Sequence, residues 1–76
     1  MTTLGELKTG DHAAVTGYLQ GSASYRRKLL AMGLTPQTKF EVIRIAPMGD
    51  PVELRVRGCN ISLRRDEANL VNVEVL

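Results

Sequence analysis

The sequence predicts a mainly β domain, a small, partly open barrel of five short strands with one helix between strands 1 and 2. Three observations carry this. Apolar and polar residues alternate through Val52 to Arg57, Cys59 to Arg64 and Val71 to Val75, the period of two that marks half-buried strands. Only one stretch, Ser22 to Pro36, combines helical spacing with both a start and a stop signal. At 76 residues the chain makes one domain, residues 1–76. A domain of that size buries only about 60% of the surface its unfolded form exposes, so it holds a single small core.

In chain order, Thr3 and Glu6 have capping-box spacing, which predicts one helical turn that drops Leu4 and Leu7 onto the core. Gly10 and Asp11 signal a turn, and Ala13 to Gln20 reads as the first strand with Ala13, Val15 and Leu19 on one face. Gly17 inside it marks a bulge or bend of the kind a tiny barrel needs to close, and Gly21 ends it. In the helix, Ser22 or Ser24 is the expected N-cap, and Tyr25, Leu29 and Met32 fall on one face with Leu30 at its edge. Gly33 stands where a left-handed residue is needed, Leu34 folds back on the last turn, and Pro36 forbids continuation. Roughly three turns are not stable alone in water, so the stripe must be covered.

Thr38 to Ala46 is the second strand, and Val42 beside Ile43 breaks its alternation, which a bulge or burial on both faces explains. Pro47-Met48-Gly49-Asp50-Pro51 is a hairpin turn, and Val52, Leu54 and Val56 return facing inward. Gly58 turns the chain at once into a fourth strand with Cys59, Ile61 and Leu63 inward, Cys59 being read as a small core hydrophobe. Arg64 to Asn69 is a single helical turn, and Val71, Val73 and Val75 line the fifth strand against Asn72 and Glu74. Known barrels of this size are SH3-like or of OB type. OB barrels usually place their helix late in the chain, and the tiny connections here suit the SH3-like meander.

Composition narrows the function. Hydrophobic content of 43% with 24% charge is that of a soluble globular domain. The amino terminus is not a signal peptide, and no stretch approaches the roughly 20 apolar residues of a membrane span, so a cytosolic location is expected. Three aromatic rings are too few for a stacking platform on single-stranded nucleic acid. Net charge is only +2, but Arg26, Arg27 and Lys28 cluster on the helix and Arg55, Arg57, Arg64 and Arg65 late in the chain. Such groups either meet an anionic or acidic partner or form a solvated face. A lone Cys59 and a lone His12, far apart, build neither a structural zinc site nor a nucleophile with its base. Gly17-Tyr-Leu-Gln-Gly21 before Ser22 is a distant echo of a phosphate-binding loop without its lysine. No catalytic group, cofactor or metal ligand is assigned.

Three segments carry a resemblance: Arg27-Lys-Leu-Leu-Ala-Met-Gly-Leu-Thr-Pro36, Ala46-Pro-Met-Gly-Asp-Pro-Val-Glu53 and Ile61-Ser-Leu-Arg-Arg-Asp-Glu-Ala68. In that order and spacing they resemble the FeoA family of small ferrous-iron transport accessory proteins, over nearly the whole chain. The family typically has Gly after the Thr-Pro, where this chain has Gln37. The resemblance implies an SH3-like barrel in the bacterial cytosol that binds and supports or regulates FeoB, a membrane Fe²⁺ transporter with a cytosolic GTP-binding part. A different class, the SH3-like module of an iron-dependent regulator or another nucleic-acid-binding small barrel, shares the fold. Against it stand a start at Met1 without a preceding helix-turn-helix and the lack of an aromatic, basic face. For a protein partner, the expected contact residues are Tyr25, Leu30 and Leu34 at the margins of the helix stripe, with Arg26, Arg27 and Lys28 beside them and Met48 in the hairpin turn.

Because no adequate ligand set exists, the domain is expected to fold without metal. Its melting temperature should be unchanged by a strong chelator, and a fall of more than a few degrees on metal removal would contradict this.

Overall fold

The alternating strands pack where their periodicity requires. In the computed structural model, which describes residues 2–19 and 23–76, six strands form one antiparallel sheet in the order β1-β6-β2-β3-β4-β5. They are β1 (Thr2–Thr3), β2 (His12–Tyr18), β3 (Lys39–Ile45), β4 (Val52–Val56), β5 (Cys59–Leu63) and β6 (Val71–Val75). A 3₁₀ turn, Leu4–Glu6, follows β1; helix α1 (Ala23–Ala31) joins β2 to β3; and α2 (Arg65–Ala68) joins β5 to β6. Buried Ala13, Val15, Phe40, Val42, Val52, Leu54, Val56, Leu63, Val71 and Val73 fill the interior, closed by Leu4, Leu7, Leu29, Leu34 and Ala68. The sequence predicted five strands. The sixth is the pair Thr2–Thr3, which lies against Asn72 and Val73, too short to show any alternation.

Both expected irregularities are present. The β2–β6 register shifts between Val15 and Gly17, and the β3–β4 register between Val42 and Arg44. The first shift explains one misplaced residue. An extra residue in a strand reverses which side chains face in, so beyond Gly17 it is Tyr18 that packs on the core, while Leu19 is exposed rather than sharing the face of Ala13 and Val15. Gln20 and Gly21, assigned to the end of this strand, lie outside the described residues. In β6, Asn72 is buried although it alternates with the valines, because it is flanked on both sides, by Thr3 and by Gly17.

The Thr3 backbone N–H donates to Glu6 Oε2 at 3.2 Å, the side-chain half of the predicted capping arrangement, and Leu4 and Leu7 are buried. The β4–β5 hairpin turns on two residues, Arg57 (φ 52°) and Gly58 (φ 80°), the positive pair that a type I′ turn requires. Cys59 directly follows and is exposed, which corrects its reading as a core residue. It lies at the hairpin tip on an edge strand, where the sheet has no neighbour to cover it.

The end of α1 is closed as its sequence dictates. The Leu34 N–H donates to the Leu29 carbonyl at 3.1 Å and the Gly33 N–H to the Leu30 carbonyl at 3.1 Å, with Gly33 at φ 93°. This is the Schellman arrangement, which folds the residue after the glycine onto the last turn. Ser24 is inside the helix rather than capping it, and Ser22, the other candidate, lies outside the described residues. The chain then turns through Thr35-Pro36-Gln37-Thr38, with the Thr38 N–H on the Thr35 carbonyl at 3.1 Å and Gln37 at φ 70°. A positive φ at the third position is what a type II turn needs, so the glycine typical of the resembling family has a physical reason there, and Gln37 carries strain in its place.

Two opposite substitutions test this backbone reading. Gly33→Ala should cost about 1 kcal/mol although its Cβ meets nothing within 4 Å. Gln37→Gly should be neutral to stabilising, by up to about 1 kcal/mol, and Gln37→Val destabilising. Chemical denaturation measures all three; equal stability of Gln37→Gly and Gln37→Val would contradict a left-handed position.

Candidate interaction surface

Helix α1 is held by very little. Of its nine residues only Leu29 is buried. Its far side and its flanks are therefore open, and the side chains that anchor it come from around it. Leu34 is fully buried beside Leu29, the Tyr18 hydroxyl donates to the Leu34 carbonyl, and Met32 packs partly against the core.

The expected contact residues divide on this basis. Tyr25 (43% exposed) and Leu30 (39%) stand out from α1, and Met48 is 85% exposed at the tip of the β3–β4 turn. Leu34 does not belong with them. The Schellman closure that makes it follow Gly33 also drives it into the core, so it is removed from the contact set.

The three basic residues also differ. Arg27 is exposed and forms no ion pair among the described residues. Arg26 holds its guanidinium 5.7 Å from the centroid of the Tyr18 ring, a cation–π contact that leaves its charge facing solvent. Lys28 is committed: its Nζ lies 2.6 Å from Oε2 of Glu67, whose side chain is almost wholly buried. Glu67 Oε1 accepts the Arg64 backbone N–H at 3.0 Å at the start of α2. The hydrogen bond from Lys28, with help from the Arg64 N–H, holds the Glu67 carboxyl below its ordinary range against the opposing effect of burial. Lys28 is thus first a structural cation that ties α1 to α2. Nothing local in the sequence foretold this, because the partners are 39 positions apart; the only hint was Glu67 three residues after Arg64, a helix-start spacing. Burial raises the Tyr18 phenol, with Arg26 pulling the other way.

Helix α2 also holds the hairpin turn. The Arg65 N–H donates to Asp50 Oδ1 at 3.3 Å. So α1, α2 and the Met48 turn are linked neighbours, α2 in the middle. Of the late arginines, Arg64 and Arg65 are exposed at the start of α2, while those on the strands make no comparable patch. Arg55 pairs across strands with Glu41 and Asn60, Arg44 with Glu53, and Arg57 reaches Thr38 Oγ1 at 3.5 Å, so charges alternate across β3 and β4. His12 and Glu41 are cross-strand neighbours, Nε2 to Oε2 3.9 Å. Among the described residues no three His, Cys, Asp or Glu side chains gather where they could hold a metal, and no helix is long and apolar enough to cross a membrane.

A six-stranded antiparallel sheet of this size among the described residues, wrapped around one small core with an exposed, lightly anchored helix, defines a small SH3-like domain. A family profile for the FeoA domain matches residues 2–75, and the chain belongs to that family. A FeoA-like protein from Clostridium acetobutylicum is 40% identical, with a TM-score of 0.88 over 100% of this chain and 91% of that one. The FeoA of Stenotrophomonas maltophilia, described as a prokaryotic SH3 domain protein and crystallised with zinc, is 26% identical with a TM-score of 0.82, covering 97% of this chain and 91% of its own. A fusion of Fe²⁺ transport protein A and the Fe²⁺ transporter FeoB from Porphyromonas gingivalis is 37% identical over 73 residues, 96% of this chain. This chain spans 8% of that relative's length. A manganese-dependent transcriptional repressor matches with a TM-score of 0.91 at 16% identity, over 99% of this chain and 36% of its own, a likeness of fold alone.

The Lys28–Glu67 pair has a pH signature. Removing one partner of a buried pair costs about 3–5 kcal/mol, less here because the Lys28 side chain is more than half exposed, so Lys28→Met should cost about 1–3 kcal/mol at neutral pH. Glu67 is ionised more readily in the folded state than unfolded. Its stabilisation is therefore complete above the ordinary glutamate range and lost as pH falls through the lowered folded value. The deficit of Lys28→Met should shrink on acidification, since a protonated Glu67 needs no cation; a deficit independent of pH would contradict the assignment.

Proposed function

We propose that this chain is a non-catalytic, cytoplasmic accessory protein of bacterial ferrous-iron uptake that binds the cytosolic GTP-binding part of FeoB and supports or regulates the transporter. The supporting observation is the Porphyromonas gingivalis relative, in which a region like this whole domain is joined in one chain to FeoB. Fusion holds two modules at high effective concentration, an advantage for domains that work in contact. Iron enters this function as the transporter's cargo and requires no ligand here.

The docking surface in this reading is the outer side of α1. Tyr25 and Leu30 supply apolar contact, while Arg26 and Arg27 steer an acidic partner surface. Lys28 stands at the edge, its charge largely answered by Glu67. Met48 extends the surface beyond α2.

Reversing the charge at Arg26 and Arg27 together, with Lys28 kept, separates binding from folding. Thermal stability should move by little, while affinity for the cytosolic part of FeoB should fall roughly tenfold at low salt and recover part of the difference as salt screens the contact. Wild-type affinity at low ionic strength would move the docking site to the Met48 turn.

A further inference from the structure

The edge strand β5 is unusual in carrying no charge and no proline. Cys59-Asn-Ile-Ser-Leu63 pairs with β4 on one side only. Exposed edges are usually protected by a lysine, a proline or a bulge, and β5 has none of these within its span. The register shows which groups are open. A two-residue hairpin is closed by a hydrogen-bonded pair, here Val56 and Cys59, so Cys59, Ile61 and Leu63 direct their backbone groups at β4. Asn60 and Ser62 direct theirs outward, and both residues are exposed.

We infer that β5 is a self-association edge, pairing antiparallel with the β5 of a second copy about a two-fold axis at Ile61. In this register Asn60 of one copy exchanges backbone hydrogen bonds with Ser62 of the other, and both outward residues of each edge are satisfied. Charge selects this register over its neighbours. On the outer face Arg55 lies beside Asn60, and Glu53 beside Ser62. Pairing Asn60 with Ser62 therefore places Arg55 of each copy in one row with Glu53 of the other. Three strand spacings, about 14 Å, separate them, and the small Asn60 and Ser62 leave the long side chains room to lean together. The row continues outward with Glu41 beyond Arg55 and Arg44 beyond Glu53, alternating in sign. Pairing Asn60 with Asn60 puts the two Arg55 side chains in one row, and Ser62 with Ser62 the two Glu53 side chains, like charges at the separation where the chosen register has opposite ones. On the inner face the half-buried Ile61 meets its own copy and is covered. Beyond the five residues both chains turn away, at Gly58 and into α2.

An edge of this length buries little surface, so the dimer should populate as protein rises from micromolar to near-millimolar. Sedimentation velocity over that range should show a monomer–dimer equilibrium. Arg55→Glu should weaken it roughly tenfold, and adding Glu53→Arg should restore it, because two-fold symmetry makes the exchanged pair complementary again, a thermal melt first showing that the exchange folds despite Glu41 and Arg44 beside it. In a Cys59→Ser background with oxidised glutathione, Ile61→Cys should form an interchain disulfide faster than Asn60→Cys, since only a residue on the axis faces itself across a non-hydrogen-bonded pair. A protein that stays monomeric at near-millimolar concentration overturns the proposal, as does failure of the charge exchange to rescue Arg55→Glu. Monomeric protein whose binding to FeoB is weakened by Ser62→Pro would assign the edge to the transporter instead.

Discussion

The contact between the Lys28 ammonium and the buried Glu67 carboxylate is the joint on which this small structure turns. A nine-residue helix that buries one side chain has almost no hydrophobic hold on its barrel. Its position is set at its end by the Schellman closure that carries Leu34 inward, and along its length by a cation that reaches α2. Because the Arg65 N–H of α2 also donates to Asp50 in the hairpin turn, two carboxylates, Glu67 and Asp50, link α1, α2 and the Met48 loop. The constraint is one-sided: the buried Glu67 carboxylate needs its cation, whereas Lys28, more than half exposed, is hydrated without it.

The same joint decides what the surface offers. One of three adjacent positive charges is used internally, which leaves Arg26 and Arg27 to present charge beside Tyr25 and Leu30. A helix that is mostly uncovered by its own domain, with apolar and cationic groups interleaved, is suited to a partner that completes its burial. The alternation of charge across β3 and β4 makes the opposite point. Arginines that read as a charge cluster in sequence become part of an alternating face where antiparallel pairing sets Arg55 beside Glu41 and Arg44 beside Glu53.

Much of the fold was legible because it rests on local signals. The period of two gave β4, β5 and β6, the Gly17 and Val42-Ile43 irregularities gave the bulges, and Leu29 to Pro36 spelled out the helix stop. What was not legible depends on contacts distant in sequence. Cys59 alternates like a core residue but sits at an uncovered edge, Leu19 loses its phase to a bulge upstream, and Lys28 looks like its neighbours until Glu67 is placed beside it. The fold-back of Leu34 that Gly33 predicts excludes it from the surface, because the residue that closes the last turn of α1 is buried against the core.

With α1 as the proposed meeting surface, the most direct measurement maps it on the unmodified protein. Isotope-labelled chain would be titrated with the cytosolic GTP-binding part of FeoB while amide and methyl resonances are followed. Shifts and broadening concentrated at Tyr25, Arg26, Arg27 and Leu30, with the interior Leu54 and Val56 unmoved, are the predicted result. Perturbation confined to the β5 edge, or to the strand faces away from α1, would contradict it.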